Sequence, residues 1–142
     1  MAQSVGVVMT DRVVAGLIED HKVQGGLLRY PTHSSDASEE QLTDEDVPYE
    51  VGMAYYREVA RGQIRGDTTG RLKLIFHRDT KKVLGVHIIG EGASELVHIG
   101  QAVMILNGTV DYFIDTVFNY PTLAECYKAA AFNGVNRLAR FD

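Results

Sequence analysis

The tightest constraint in this 142-residue chain is a pair of apolar stretches joined by a polar turn. In Arg71–His77 the residues Leu72, Leu74 and Phe76 fall on every second position, which puts them on one face of a strand. Val83–Ile89 is the partner run, and Asp79-Thr80-Lys81-Lys82 between them reads as a hairpin connection. Upstream, Tyr49–Arg61 reads as a third strand, in which Val51, Met53, Tyr55 and Val59 recur at even spacing with a slip near Arg57. The pattern predicts an antiparallel meander, which can leave one face for helices.

Helical spacing follows. Gly90-Glu91-Gly92 ends the Val83–Ile89 strand, and Ser94–Leu106 carries Leu96, Val97, Gly100, Val103 and Met104 at helical intervals. Asn107-Gly108 is a stop signal, because both residue types tolerate the left-handed backbone that closes a helix. Asp111–Asp115 reads as a short helical turn. Phe118-Asn119-Tyr120-Pro121 is extended, since a residue before proline is pushed out of the helical region. The last helix is expected from Leu123 to about Leu138. The fold class is therefore α+β, an antiparallel sheet backed by helices.

The N-terminal zone differs. Ser4–Met9, Val13–Ile18 and Val23–Tyr30 read as short strands, so residues 1–32 are expected to form a short β-meander. Residues 33–46 are polar and acidic and are expected to be a linker, in which Glu39-Glu40-Gln41-Leu42 can form one helical turn.

Composition narrows the function. A net charge of −5 and no basic run argue against a nucleic-acid partner, because phosphate contacts need clustered Lys and Arg. No apolar run approaches the roughly 18 residues of a membrane span. A cytoplasmic protein is the expectation. Cys126 is the single cysteine, so neither an internal disulfide nor a two-cysteine redox pair can form within the chain. It reads as a small buried residue.

Thr122 and Glu125 fit a capping box, in which the Thr hydroxyl takes one free backbone N–H and the Glu reaches back to another. The histidines, His21, His33, His77, His87 and His98, have no metal-type spacing, although His77 and His87 on neighbouring strands could face each other. Glu91, Glu95 and His98 could converge near a helix start and read first as interface or solvated residues. Gly90-Glu91-Gly92 lacks the third glycine of a dinucleotide fingerprint. Residue patterns alone supply no catalytic constellation.

Three segments together carry a resemblance: Val47–Ile64, Arg71–Met104 and Phe118–Arg137. In this order they resemble the C-terminal dimerisation domain of the pyridine nucleotide-disulfide oxidoreductase family, with residues 47–142 forming the domain. The passage from Gly85 to Gly90-Glu91, leading into Glu95-Leu96 and His98, is characteristic of the family. In its disulfide reductases the last segment reads H-P-T-x-x-E, where His and Glu work as an acid–base pair. Here Tyr120 stands at the His position, while Pro121, Thr122 and Glu125 match. A phenol is a poor thiol base compared with an imidazole. The soluble transhydrogenase branch resembles this chain more closely, with N-Y-P-T-x-A-E at this place and a similar Asn133–Leu138 terminus.

The resemblance implies a homodimer and, in the full-length family, FAD with NAD or NADP and hydride transfer between NADPH and NAD. It places Tyr120, a cis Pro121, Thr122 and Glu125 against the partner's flavin, with Glu125 as a helix cap or a partner of Tyr120. His87, Glu95, His98 and Tyr127 are candidates for the dimer interface. No cofactor and no metal is expected on this chain alone, and no catalysis, because it carries no FAD or nucleotide domain. The alternative is a truncated or chimeric subunit that completes the flavin site of a full-length flavoenzyme. Residues 4–32 resemble the opening strands of actin-like ATPase-fold sugar kinases, but MTDR stands where those have a D-x-G-x-T phosphate loop.

Overall fold

A computed structural model of the chain describes residues 37–139. The strands expected within 4–30, and the stretch similar to sugar kinases, lie outside the described residues.

The described elements run α1 (Glu39–Asp44), β1 (Tyr49–Tyr55), a 3-10 turn (Tyr56–Glu58), α2 (Ala60–Arg65), β2 (Arg71–His77), β3 (Val83–Ile89), α3 (Ala93–Ile105), α4 (Asp111–Asp115) and α5 (Glu125–Leu138). The sheet is an antiparallel meander in the order β1-β2-β3. Both strands of the expected hairpin have their predicted bounds. Tyr49 pairs with His77 and Lys73 with His87, so His77 and His87 do not face each other across the sheet, contrary to the expectation.

The first strand is shorter than its pattern. It ends at Tyr55, where the backbone N–H donates to the Glu58 carboxylate at 2.8 Å and the chain turns. The buried positions of β1 are Gly52 and Ala54 rather than the odd-numbered Val51, Met53 and Tyr55, which stay half-buried. Val59 reaches the core from beyond the turn. A glycine at position 62 lets α2 (Ala60–Arg65) pack against the preceding turn, since a Cβ there would collide with the Tyr56 carbonyl.

Leu72, Leu74 and Phe76 face the helices and are fully buried. With Ala54, Tyr56, Val83, Val86 and Ile88 they form the sheet side of the core. Val97 and Val103 of α3, Phe113 of α4, and Cys126, Tyr127, Ala130 and Ala131 of α5 form the other side. The helix α3 stops as its sequence indicates. Asn107 adopts φ 56°, its N–H donates to the Met104 carbonyl, and the Gly108 N–H donates to the Val103 carbonyl. That paired closure satisfies two otherwise orphaned carbonyls.

Within the stretch 33–46, the helical turn expected at Glu39–Leu42 forms and extends to Asp44 as a capped helix. Ser38 accepts from the Gln41 N–H, and the Gln41 side chain accepts from the Ser38 N–H. This element sits on the sheet. Leu42 is buried, Glu39 pairs with Lys73 of β2 at 2.7 Å, and the Ala37 N–H donates to the Leu84 carbonyl. Ile75, pointing away from Leu74 and Phe76, is thereby also fully buried.

The outer edge of β1 is closed by side chains. The N–H groups of Val51, Met53 and Tyr55 donate to Glu50, Asn133 and Glu58 respectively. An edge whose donors are already engaged is a poor template for another strand.

Candidate functional site

The turn that leads into α5 is built from four residues, Asn119 to Thr122. On its upstream side the Phe118 ring stacks on Tyr127, with centroids 6.5 Å apart and planes 20° apart. Tyr127 in turn stacks on Phe113 at 4.8 Å. On its downstream side the Thr122 hydroxyl donates to the Asn119 carbonyl at 2.7 Å, and the Thr122 N–H donates to Glu125 Oε2 at 3.1 Å. The Tyr120-Pro121 peptide between these ties is cis.

Only half of the expected capping box forms. Glu125 reaches back as predicted, but the Thr122 hydroxyl turns to Asn119 instead of accepting a helix N–H. The helix begins at Glu125 rather than Leu123, with the Cys126 and Tyr127 N–H groups bonded three residues back, to Leu123 and Ala124. A tighter first turn satisfies those donors without a Thr cap. Glu125 lies in the first turn of α5, where the helix dipole favours a negative charge.

Tyr120 is 74% exposed and Pro121 is also exposed, whereas Thr122 and Glu125 are half-buried. The expected set thus divides in two. Two residues hold the turn, and two are presented to solvent.

The interface candidates scatter. Glu95 and His98 lie exposed on α3, where His98 Nδ1 is 3.0 Å from Gln101 Oε1. His87 is 8% exposed and sits on β3 near Gly85, on the side that Ala37 covers. Tyr127 is fully buried, with its hydroxyl donating to the Leu96 carbonyl at 2.7 Å, so it is a core residue with no surface to offer a second chain. The Glu91 carboxylate pairs with Arg65 at 2.7 Å. Among the described residues no group of His, Cys, Asp and Glu could hold a metal ion.

Burial, reinforced by the charges of Glu58, Glu125 and Asp67, pushes the Cys126 thiol up to about 12. A thiol held protonated in the core is a poor nucleophile. Burial likewise raises the phenols of Tyr56 and Tyr127 well above their ordinary range.

The spacing of apolar residues does not single out Phe118 or Asn119, which shape the turn. The signal around them is instead an exposed apolar stretch. Five of the seven large apolar side chains exposed among the described residues, Ile105, Leu106, Tyr112, Val117 and Tyr120, lie between residues 105 and 120.

Residues 37–131 match the family model described as the dimerisation domain of the pyridine nucleotide-disulphide oxidoreductases. The chain belongs to that family. It is 52% identical over 120 residues to a soluble pyridine nucleotide transhydrogenase of Hahella chejuensis, covering 82% of this chain and 26% of the relative. A protein of the same name from Vibrio atlanticus is 46% identical over 140 residues, covering 94% of this chain and 30% of the relative. The chain therefore spans between a quarter and a third of the length of these relatives. The fold recurs in the flavoprotein disulfide reductase RclA of Escherichia coli, with a TM-score of 0.64 at 23% identity over 68% of this chain and 22% of that one. LpdA of Mycobacterium tuberculosis gives a TM-score of 0.63 at 24% identity, over 68% and 21%. The dimerisation-domain fold is thus the sheet-and-helix unit described above. No helix among the described residues is long and apolar enough to cross a membrane.

Proposed function

We propose that this polypeptide is the pairing module of a transhydrogenase-like flavoenzyme. Two copies associate through the apolar stretch of residues 105–120, and each presents its Tyr120 turn to a flavin site carried by another part of the assembly. The observation that carries this reading is the concentration of exposed Ile105, Leu106, Tyr112, Val117 and Tyr120 in one stretch next to that turn. Removing one large apolar side chain from water is worth about 1.5–3 kcal/mol, so several such residues supply a substantial drive to pair. A symmetric twofold arrangement lets the same patch serve both partners.

In such an assembly FAD supplies the hydride chemistry between NADPH and NAD. The turn fits a flavin as one wall, not as a pocket. Tyr120 offers an exposed ring face and a hydroxyl, and the Asn119 carbonyl and the Thr122 hydroxyl are engaged with each other. These 142 residues by themselves hold no glycine fingerprint for a dinucleotide and are inert toward nicotinamides. His87, Glu95 and His98 remain candidates for contacts in the pair.

Light scattering behind size-exclusion chromatography tests the reading. A mass near twice 15.7 kDa at micromolar concentration, from a colourless sample without turnover of NADH or NADPH, is expected. A stable monomer overturns the pairing, and a yellow sample that turns over nicotinamides unaided overturns the inertness.

A further inference from the structure

Two residues along β2 from the Lys73–Glu39 pair, on the same face of the sheet, stands Arg71. In register it lies between Tyr55 of β1 and Ile89 of β3, so an aromatic ring and an aliphatic side chain flank it. Arg71 is half-buried, and its Nε–H is shut off from solvent without a hydrogen-bond acceptor among the described residues. Buried donors in that state are rare, because each forfeits its bonds to water and gains none in return. A second guanidinium lies over the Tyr55 ring, with Arg57 Cζ 4.6 Å from its centroid. Neighbouring cations are matched: Arg65 pairs with Glu91 and Lys73 with Glu39, both at 2.7 Å. Arg57 and Arg71 have no carboxylate partner among the described residues. Glu58, on the same turn as Arg57, accepts from the Tyr55 N–H at 2.8 Å.

We propose that Arg71 and Arg57 form, around Tyr55, a binding site for an oxyanion, a carboxylate or phosphate group, held side-on by the Arg71 Nε–H while Arg57 supplies a second positive charge. The Nε edge of a guanidinium presents two parallel N–H groups, which match two oxygens of either group. Tyr55 and Ile89 keep water from that edge, and a charge-assisted bond is stronger where the local dielectric is low. Stacking on the Tyr55 ring keeps the Arg57 guanidinium beside the sheet instead of reaching into solvent. The site lies on the sheet face away from α5 and the Tyr120 turn, and it does not depend on the function proposed above.

Nitrogen-15 NMR of the whole chain reads the Arg71 Nε–H directly. Inorganic phosphate and sodium acetate are titrated separately, with sodium chloride holding the ionic strength constant. Saturable movement of the Arg71 Nε–H resonance, followed by the Tyr55 and Ile89 backbone amides, is expected with one oxyanion or both, and the tighter of the two names the ligand class. Arg71→Lys keeps the charge and removes the paired N–H edge. It should weaken phosphate or acetate binding, read at the Tyr55 and Ile89 amides, by roughly tenfold or more. Arg57→Gln should weaken it severalfold. An Arg71 Nε–H that moves with neither oxyanion, or equally with chloride alone, overturns the proposal, as does a folded Arg71→Lys chain that binds like the parent. Circular dichroism establishes folding. Should Arg71→Lys fail to fold, the parent Nε–H resonance and Arg57→Gln decide the matter, and unweakened binding in Arg57→Gln overturns the two-arginine site.

Discussion

The hydroxyl of Tyr127 accepts a hydrogen bond from the Gly100 N–H at 3.0 Å, and a Cβ on Gly100 would lie 2.9 Å from that oxygen. The same hydroxyl donates to the Leu96 carbonyl, so one side chain of α5 bridges two backbone groups four residues apart on α3. Position 100 has to be small for α3 to approach both Tyr127 and Val86. Tyr127→Phe should lower stability by about 1–2 kcal/mol, because two polar partners lose their bond in a dry site. Gly100→Ala should cost about 1–3 kcal/mol through overpacking. The double variant should lose less than the sum, since the oxygen met by the new methyl is gone. Urea unfolding of the four proteins measures the coupling.

A second close approach joins α5 to β1. A Cβ on Gly52 would collide with the Ala130 carbonyl, and one on Gly134 would lie 3.2 Å from the Gly52 Cα. Backbone cannot retreat as a flexible side chain can. Gly52→Ala should therefore destabilise the fold by about 3 kcal/mol or more, the upper part of the overpacking range. A midpoint unchanged within error would show that α5 can shift away from the strand.

Asn107 ends α3 with a positive φ. Asn107→Gly should leave stability within a few tenths of a kcal/mol or raise it slightly. Asn107→Val places a branched side chain in the left-handed region and should cost about 1–2 kcal/mol. Thermal unfolding of the two variants should rank Gly above Val.

Cys126 yields a pH prediction with a definite sign. Burial raises its thiol from the ordinary 9.0 to about 12. The unfolded chain therefore releases this proton first, and the contribution to stability is fully present below about pH 9 and is lost as pH rises toward 12. Over that window the slope from this one group should approach about 1.4 kcal/mol per pH unit. Cys126→Ala should flatten the lower part of the slope, while the raised phenols of Tyr56 and Tyr127 keep the upper part steep. In native buffer a thiol reagent should leave Cys126 unmodified, and denaturant should expose it.

Val117 is 91% exposed and Leu106 80%. If residues 105–120 make the contact between copies, Val117→Asp combined with Leu106→Glu should weaken association at least about tenfold, because charge would be trapped in an apolar seam. The helical circular dichroism should be unchanged, since neither residue belongs to the core. Sedimentation at a series of concentrations reads the dissociation constant directly.

Periodicity in the residues themselves determined the β2–β3 hairpin, the α3 stop at Asn107-Gly108 and the existence of α5, because each depends on neighbours within a few positions. The motif around Pro121 likewise pointed to the turn and to Glu125 reaching back. Other features were decided only by the folded structure. Val51, Met53 and Tyr55 looked like a core face, yet Gly52 and Ala54 face the core because α5 comes too close to admit anything larger. Tyr127, an apolar position of the last helix and a dimer-interface candidate by the resemblance, is buried with its ring stacked on Phe113 and Phe118. The acidic stretch around Glu39–Asp44 is a docked helix because Lys73 and Leu84 on the sheet meet Glu39 and Ala37. Local spacing encodes hydrogen bonds along the chain; which side of a strand is inside, and which polar segment finds a surface, depends on distant residues that meet only once the layers pack.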